Sequence, residues 1–330
     1  MRKWLCCLLL LLPAWALAAP DTPYDPALML HYPRLTAAQQ QVFDLAYAAA
    51  SAGSQQVNLP EGTAYDDAAA AMDALLLDCP ELCALSSSYT LRYYQDAPQQ
   101  ATAIGLRYDM TLGEQALLLE TAEKLAQQTR GDDLAREEFL HDALCSLAVY
   151  DDAAAHQHNA YGALVEGRCV CDGYANAMAL LLRLAGVECG VVQGMTSTGA
   201  PHAWNLVRVD GAYTWLDVTN DDQGDVLTHF FYNITDEWLL RSYTLQTENL
   251  PSCTDETVNW HVRKGLYARG AAPLLPADRL QLELRFACRE DYTVLRDGLS
   301  SWLMHSGIQG TIAAWYDDAQ WCILVQLGKD

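Results

Sequence analysis

Basic residues are scarce in this sequence. It has 20 lysines and arginines against 42 aspartates and glutamates, which gives a formal net charge of −22. Binding to nucleic acid or to an anionic membrane surface depends on clustered basic side chains, so this composition argues against both kinds of partner. The sequence leaves the oligomeric state open.

Long apolar runs are also missing after the first 18 residues, so neither a transmembrane helix nor stable membrane insertion is predicted. The first residues differ: Arg2 and Lys3 precede a short apolar run, and the small-residue site Ala16-Leu17-Ala18 follows. These are the three parts of a secretory signal peptide. We therefore predict a cleaved signal peptide over residues 1–18 and a secreted, extracellular protein. An uncleaved membrane anchor is the alternative.

The cysteine count indicates one thiol outside any disulfide framework. Of the 11 cysteines, Cys6 and Cys7 lie in the predicted signal peptide, and an odd number remains. If Cys171 is the unpaired one, the others either form disulfides or stay reduced, and their pairing cannot be read from the sequence. Cys79 and Cys83 lack a second ligand pair at a suitable spacing, so no metal site and no cofactor are predicted.

The length of 330 residues suggests about two domains at roughly 150 residues each. Hydrophobic periodicity indicates an α+β fold: an N-terminal α+β region over 19–130, a core over 131–250 and a small C-terminal α/β unit over 251–330. The predicted helices are 35–52, 66–78, 112–129, 134–150, 172–185 and 291–304. The predicted strands are 89–94, 102–108, 280–287, 310–315 and 321–327, with a turn at Ala97-Pro98 between the first two.

The helix predicted over 172–185 has an unusual composition. Asn176 and Arg183 are its strongly polar residues after the first turn, so it should be buried nearly all round, and Gly186 suits its C-terminal end. Cys171 then lies at the first turn. Backbone N–H groups there carry a partial positive charge that favours a thiolate and can hold an oxyanion. This position suits a nucleophile.

A β-hairpin is predicted downstream of this helix. Asp210-Gly211, between two β-prone runs, is typical of a two-residue type I′ turn, which makes Val209 face Ala212. His202 and Asp217 are then diagonal neighbours on one face, at about 7–8 Å between backbones, so the imidazole can reach the carboxylate. A three-residue loop would put them on opposite faces. The register decides whether the two side chains meet.

These three residue types together suit acyl chemistry. A thiolate at Cys171 attacks a carbonyl, the imidazole of His202 carries the proton, and the Asp217 carboxylate orients the ring and supports its positive charge. Taken singly, a buried cysteine or a strand histidine is usually structural. The joint pattern predicts an enzyme.

Two motifs, Cys171-Asp-Gly-Tyr-Ala and His202-Ala-Trp-Asn, resemble the transglutaminase-like superfamily of thiol enzymes, in its exported bacterial form. Leu216-Asp217-Val-Thr and the lead-in Leu140-His141-Asp142 are similar to it as well. The resemblance implies a papain-like α+β core in which a buried helix bearing the cysteine packs on an antiparallel sheet. It also implies that Cys171, His202 and Asp217 are the nucleophile, the base and the orienting acid.

The resemblance implies acyl transfer or hydrolysis of peptide or amide bonds in a protein or peptide substrate, through a thioester on Cys171, and we favour a peptidase or amidase. A protein cross-linking transglutaminase is one alternative. Another is a catalytically inactive extracellular binding module that kept the fold. A metal-binding protein that uses Cys169, Cys171 and His202 is a third, but the sequence offers no further ligand.

Residues around the triad complete the prediction. Tyr161, Trp204 and Asn205 are the candidates for lining the cleft or donating to an oxyanion. Exported bacterial relatives often have tryptophan after Asp-x-Thr, whereas this chain has Asn220, which puts the shape of the neighbouring cleft in doubt. Cys169 is a rival nucleophile or a redox partner, although the motif favours Cys171.

Overall fold

The computed structural model describes residues 25–269, 281–305 and 312–327. The predicted signal peptide and the first residues of the strands predicted at 280 and 310 lie outside these ranges. The α-helices are α1 (Ala37–Ser51), α2 (Tyr65–Asp78), α3 (Leu112–Ala126), α4 (Asp133–Leu147), α5 (Cys171–Leu184), α6 (Val218–Asp221), α7 (Asp236–Leu239), α8 (Trp260–Arg263) and α9 (Arg289–His305).

The strands form several separate sheets. They are β1 (Gln56–Asn58), β2 (Thr90–Tyr94), β3 (Ala97–Gly105), β4 (Val149–Tyr150), β5 (Arg168–Cys169), β6 (Glu188–Thr196), β7 (Pro201–Val209), β8 (Ala212–Leu216), β9 (Tyr243–Leu245), β10 (Tyr267–Ala268), β11 (Gln281–Phe286), β12 (Ile312–Asp317) and β13 (Cys322–Leu327). Helices and mostly antiparallel strands coexist, so the α+β prediction is confirmed.

The N-terminal part packs α1 and α2 against the antiparallel sheet β1-β3-β2. A capping box between Thr36 and Gln39 begins α1, and the helices predicted over 35–52 and 66–78 are confirmed apart from their ends. The turn predicted at Ala97-Pro98 is wrong, because Tyr94 pairs with Ala97 and β3 has already begun there. The pairing of β2 with β3 is irregular at this end, where a proline disturbs the ladder least.

The helix predicted over 134–150 ends earlier than expected. Asp132 caps it by accepting from the Ala135 N–H at 2.9 Å, but α4 stops at Leu147. Val149–Tyr150 instead pair in parallel with Arg168–Cys169. This long-range pairing satisfies backbone groups that a helix would otherwise use, and it brings Tyr150 beside the start of α5.

The centre of the molecule is α5, packed on the antiparallel sheet β8-β7-β6-β9. Almost every side chain of α5 is buried, as predicted, including Arg183, which forms an ion pair with Glu81 at 3.3 Å. Gly186 ends the helix with a positive φ of 80°, a conformation that glycine adopts without strain. The sheet and the helix together fix the position of Cys171.

The C-terminal part is a sheet of order β10-β11-β13-β12 with α9 packed on one face. The predicted sequence of strand, helix and two strands is therefore confirmed for the residues described there. In the described ranges, no helix combines the length and the apolar composition needed to cross a bilayer.

Candidate active site

Cys171 is the first residue of α5. Val170 precedes it in an extended conformation and offers no side-chain cap, so N–H groups of the first turn remain available to another acceptor. Cys171 is half-buried, whereas Cys169 is fully buried. All nine cysteines among the described residues are free thiols. Of Cys169 and Cys171, the accessible thiol is therefore Cys171, which is also the one that the motif favours.

Gly173 allows the start of α5 to approach its neighbours closely. A Cβ added at this glycine would lie 2.4 Å from the Cys169 Cβ and 2.7 Å from the backbone oxygen of Gln157. Neither the Cys169 Cβ nor the backbone oxygen can rotate away. We therefore expect Gly173→Ala to lower the free energy of unfolding by about 1–3 kcal/mol. It should also slow alkylation of Cys171 by displacing the first turn. Chemical denaturation and thiol labelling measure the two effects.

Gly298→Ala is the matched control, since Gly298 lies in α9 and an added Cβ there meets nothing within 4 Å. We expect this change to stabilise the protein by about 0.5–1 kcal/mol, because alanine favours a helix interior. Equal effects of the two substitutions would contradict the close approach at Gly173.

The predicted hairpin register is confirmed. Asp210 and Gly211 form the turn with positive φ angles of 49° and 80°, and Val209 pairs with Ala212. The register places His202 on β7 and Asp217 just after β8 on one face. Their side chains meet, with His202 Nε2 2.8 Å from Asp217 Oδ2.

His202 lies between the carboxylate and the sulfur. Burial is the largest single effect and lowers its pKa, but the charge of Asp217 and the side-chain hydrogen bonds with Asp217 and Cys171 together outweigh it, so the pKa rises to about 10. The ring therefore carries a positive charge at neutral pH. Since Nε2 faces Asp217, Nδ1 is the ring nitrogen left for the sulfur. A positive ring of this kind stabilises a thiolate beside it.

Besides His202, two other residues donate hydrogen bonds to Asp217. The Tyr243 hydroxyl donates to Oδ2 at 2.5 Å, the Asn220 side-chain amide donates to Oδ2 at 2.8 Å, and the Asn220 backbone N–H donates to Oδ1 at 3.3 Å. Burial raises the pKa of Asp217, but the charge of His202 and these hydrogen bonds lower it below its usual value. Asp217 is thus a fixed anion in a buried position.

The sequence did not predict the roles of Asn220 and Tyr243. Asn220 stands three residues after Asp217, the spacing at which the first turn of a helix returns to its N-cap, so that signal was available. Tyr243 lies on β9 and carries no local signal. It reaches Asp217 because β9 pairs with β6 at the edge of the sheet.

We expect Tyr243→Phe to weaken this arrangement without moving the ring. Hydrogen bonds to charged groups contribute about 1.5–3 kcal/mol, so unfolding free energy should fall by that order. The pKa of Asp217 should rise and alkylation of Cys171 should slow several-fold. Tyr213→Phe is the control, because Tyr213 donates to Glu188 at the same distance of 2.5 Å on β8. Slower alkylation in both variants would contradict a specific role for Tyr243.

Trp204 is not part of the cleft wall. It is fully buried, and its ring stacks on His202 at 5.7 Å and on Tyr243 at 4.8 Å between centroids. His202 also stacks on Tyr243 at 5.1 Å. The three rings hold the imidazole in one orientation, so Trp204 positions the base and contributes no oxyanion donor to the cavity at Cys171.

Asn205 and Tyr161 also lie away from the cavity beside Cys171. The buried Asn205 amide donates to the backbone oxygen of Ala175 at 2.9 Å and joins α5 to the sheet. Tyr161 precedes a short π-helical turn, Gly162–Glu166, and its ring packs against His156 at 5.3 Å. Neither residue is among those that line the cavity beside Cys171, and a role for them in the cleft stays a prediction. Their positions depend on tertiary packing that the motif does not specify.

The cavity beside Cys171 and His202 has a volume of about 410 Å³. Its wall includes a tyrosine and three glutamines, together with the carboxylates of Asp152 and Asp172. Burial raises the pKa of Tyr150, and charge on Cys171 raises it further, which places that phenol beside the sulfur. The remaining wall is formed partly by Gln157, Gln193 and Gln246. Side-chain amides here offer N–H donors to an oxyanion.

A larger cavity of about 890 Å³ adjoins the first one and shares part of its wall. The shared residues are His158, Asp172, Gln193 and Gln246. The larger cavity extends toward α2 and the segment after it, so residues of the N-terminal part face the same opening. A chain longer than one amino acid could therefore contact both parts of the molecule.

Comparison with known proteins finds one matching family model. Residues 121–223 match the model of the transglutaminase-like superfamily, and this stretch contains Cys171, His202 and Asp217. This stretch of the chain is transglutaminase-like. The predicted family is thereby confirmed. No curated protein matches the chain.

Several solved structures match parts of this chain. A structure described as a TGase has 14% identity and a TM-score of 0.32, and the match covers 43% of this chain and 46% of that one. A candidate cysteine protease from Cytophaga hutchinsonii has 13% identity and a TM-score of 0.27, covering 40% and 61%. A candidate protease from Parabacteroides distasonis has 12% identity and a TM-score of 0.23, covering 40% and 30%. This chain spans less than two thirds of each.

Proposed function

We propose that this protein is a secreted thiol enzyme that hydrolyses peptide or amide bonds through a thioester on Cys171. The observation that carries the proposal is the contact of His202 with both Asp217 and Cys171 in the wall of a cavity of about 410 Å³. A buried carboxylate, a positive ring and an accessible sulfur in this order match the parts of a Cys-His-Asp triad. The match of residues 121–223 to the transglutaminase-like superfamily agrees with a cysteine enzyme.

In the first step, the Cys171 sulfur attacks the carbonyl carbon and the carbonyl oxygen becomes an oxyanion. N–H groups of the first turn of α5 and side-chain amides in the cavity wall would donate hydrogen bonds to that oxyanion. His202 then transfers its proton to the amine nitrogen as the C–N bond breaks. The amine leaves and an acyl thioester remains on Cys171.

In the second step, a water molecule attacks the thioester. His202, now neutral, takes a proton from the water, and the C–S bond breaks to release a carboxylic acid. The sulfur leaves as a thiolate beside the reprotonated imidazole, and the site returns to its starting state. Asp217 stays ionised throughout and keeps Nε2 of the ring protonated.

Access of water favours hydrolysis over transfer to an amine. The cavity wall includes His158, whose side chain is 66% exposed, so one side of the cavity opens to solvent. A cross-linking reaction would place a primary amine where water attacks. The two reactions share the first step and differ in the acceptor.

Product analysis by mass spectrometry separates these reactions. We would incubate the mature protein with a peptide mixture and a biotinylated primary amine in water enriched in ¹⁸O, with Cys171→Ala as the blank. New carboxyl groups that carry ¹⁸O would support hydrolysis, whereas biotinylated glutamines would support cross-linking. A peptide carrying an electrophilic carbonyl should label Cys171 in the same preparation.

The same electrophilic peptide tests the alternative that the protein is an inactive binding module. Cys171 would then react with the electrophile no faster than Cys288, another half-exposed thiol. That result would remove the case for an enzyme. A thioester adduct on Cys171, trapped by acid denaturation, would support it directly.

Secretion is a separate part of the proposal and is supported by the sequence of the first 18 residues. Expression in a host with a secretory pathway, followed by N-terminal sequencing of the protein from the medium, tests it. We expect the mature chain to begin at Ala19. Retention in the membrane fraction with Met1 intact would indicate an uncleaved anchor instead.

A further inference from the structure

A second cluster of ionisable side chains lies in the core, apart from Cys171 and its partners. His141 Nδ1 is 2.9 Å from Asp142 Oδ1, and His229 Nε2 is 3.2 Å from the same oxygen. One donor atom from each of these three residues lies within 4.8 Å of the others. His141 and Asp142 belong to α4, while His229 is 87 positions from Asp142 along the chain. Sequence spacing therefore gave no sign of the cluster.

Each imidazole of this cluster is backed by a second carboxylate. His141 Nε2 is 3.2 Å from Asp221 Oδ2, and His229 Nδ1 is 3.2 Å from Glu283 Oε2. Both backing carboxylates are buried. Histidines that bind a metal nearly always place their other nitrogen against a carboxylate, a carbonyl or water, which fixes the tautomer and the ring orientation. The two histidines have that arrangement.

Aromatic packing holds the two rings in place. His229 lies flat on Trp260, with 3.9 Å between centroids and 5° between planes. His141 meets the edge of Tyr232 at 4.9 Å. Rigid, preoriented donors are what a metal site requires, because ligands that must reorganise lose affinity.

We propose that His141, Asp142 and His229 bind one divalent transition-metal ion, with zinc as the best fit. Tetrahedral zinc with bonds of about 2.0–2.2 Å separates its ligand atoms by about 3.3–3.5 Å, close to the distances to Asp142. Two imidazoles and one carboxylate suit zinc better than magnesium or calcium, which prefer oxygen. The three carboxylates around the cluster offset the charge of the ion.

The fourth ligand of this site is water. Asp142 is 44% exposed at its side chain, so the cluster reaches solvent on that side, while Asp221 and Glu283 close the other. Glu283 belongs to β11 of the C-terminal sheet. A bound ion would thus join α4 and the His229 segment and, through Glu283, the C-terminal sheet. We expect it to raise thermal stability.

The site shares no residue with Cys171, His202 and Asp217, so it stands or falls independently of the proposed reaction. Free thiols also bind zinc, and Cys171 and Cys288 are the partly exposed ones. The experiment therefore uses the full mature chain with Cys171→Ser and Cys288→Ser throughout. The metal is removed with a chelator before ZnCl₂ or CoCl₂ is added back.

We expect one zinc per chain after dialysis, measured by elemental analysis, and a rise of several degrees in the melting temperature with excess zinc. Cobalt should give the visible absorption of a four-coordinate site without a sulfur-to-cobalt charge-transfer band. Asp142→Ala changes a partly exposed residue and should fold, yet bind zinc at least tenfold more weakly. His229→Gln should lose the site, and Glu283→Gln should weaken zinc binding by about 10–100-fold.

His158→Ala is the matched control, because His158 pairs with Asp172 at 2.9 Å on the surface without a second imidazole. It should leave zinc binding unchanged. The proposal is overturned if the folded chain retains less than a tenth of an equivalent of zinc. It is equally overturned if Asp142→Ala and His229→Gln bind zinc as tightly as their parent, since the ion would then lie elsewhere.

Discussion

Replacing His202 by alanine should slow alkylation of Cys171 by iodoacetamide about 100-fold at pH 6. An ordinary thiol, with a pKa of about 8.5, is thiolate for less than about 1% of the time at that pH, and thiolate is the form that reacts. In the intact protein the positive His202 ring contacts the sulfur, and a cation beside a cysteine sulfur favours the thiolate form. Alkylation quenched at successive times and followed by peptide mapping measures the alkylation rate at Cys171, with Cys288 as an internal reference.

His158→Ala provides the comparison that makes this result specific. His158 also lines the cavity and is also paired with a carboxylate, Asp172, at 2.9 Å, but the pair is exposed. We expect its removal to change the alkylation rate only a few-fold. A larger effect of His158→Ala than of His202→Ala would contradict the assignment of His202 as the base.

Asp217→Asn should reduce turnover by about 10²–10⁴, the order seen when a triad loses its carboxylate. The structure supplies the reason. The carboxylate accepts from His202, from the Tyr243 hydroxyl and from both the side chain and the backbone of Asn220. An amide has a single oxygen and an NH₂ group, so in either orientation its NH₂ group faces a donor.

The pH profile should change in the same variant. Asp217 raises the pKa of His202 to about 10 against the opposing effect of burial. Stability from this pairing is fully present below about pH 6.5, the ordinary histidine value, and is lost as pH rises toward 10. Without the carboxylate, burial should lower the pKa of His202. Rapid alkylation at neutral pH should then disappear, and the alkaline loss of stability should shrink.

Asp236→Asn is the control for the loss of a structural carboxylate. Asp236 accepts from the Trp215 indole at 2.8 Å and from the Cys253 N–H at 3.0 Å, without contacting His202. It should cost stability and leave the reactivity of Cys171 intact. Similar alkylation profiles for Asp217→Asn and the intact protein would rule out Asp217 as the orienting acid.

The features that the sequence predicted correctly are those set by local rules. Asp210-Gly211 specifies a turn, the turn specifies a register, and the register brings His202 to Asp217. The continuous apolar composition after Cys171 likewise identified the buried helix. Each step needed only neighbouring residues and the geometry of a strand or helix.

The features that the sequence missed depend on contacts between distant segments. Tyr243 reaches Asp217 through the pairing of β9 with β6, which no local pattern encodes. Trp204 belongs to a motif beside His202, yet it packs inward against Tyr243 instead of lining the cavity. Motif membership indicated that Trp204 and Asn205 are near the site, but only tertiary packing determines which way each side chain faces.

The short parallel pair formed by Val149–Tyr150 and Arg168–Cys169 has a consequence for how specificity can change. It clamps the two ends of residues 151–167 together immediately before Cys171. This segment contains Gln157 and His158, which line the cavity. The later part of the segment is fixed, because Ala160, Ala163 and Leu164 are buried in the core. Its first part, residues 152–155, is largely exposed, and its two ends border the two cavities. Substitutions over residues 152–155 are therefore a route to change the cavity wall while Cys171, His202 and Asp217 stay in place.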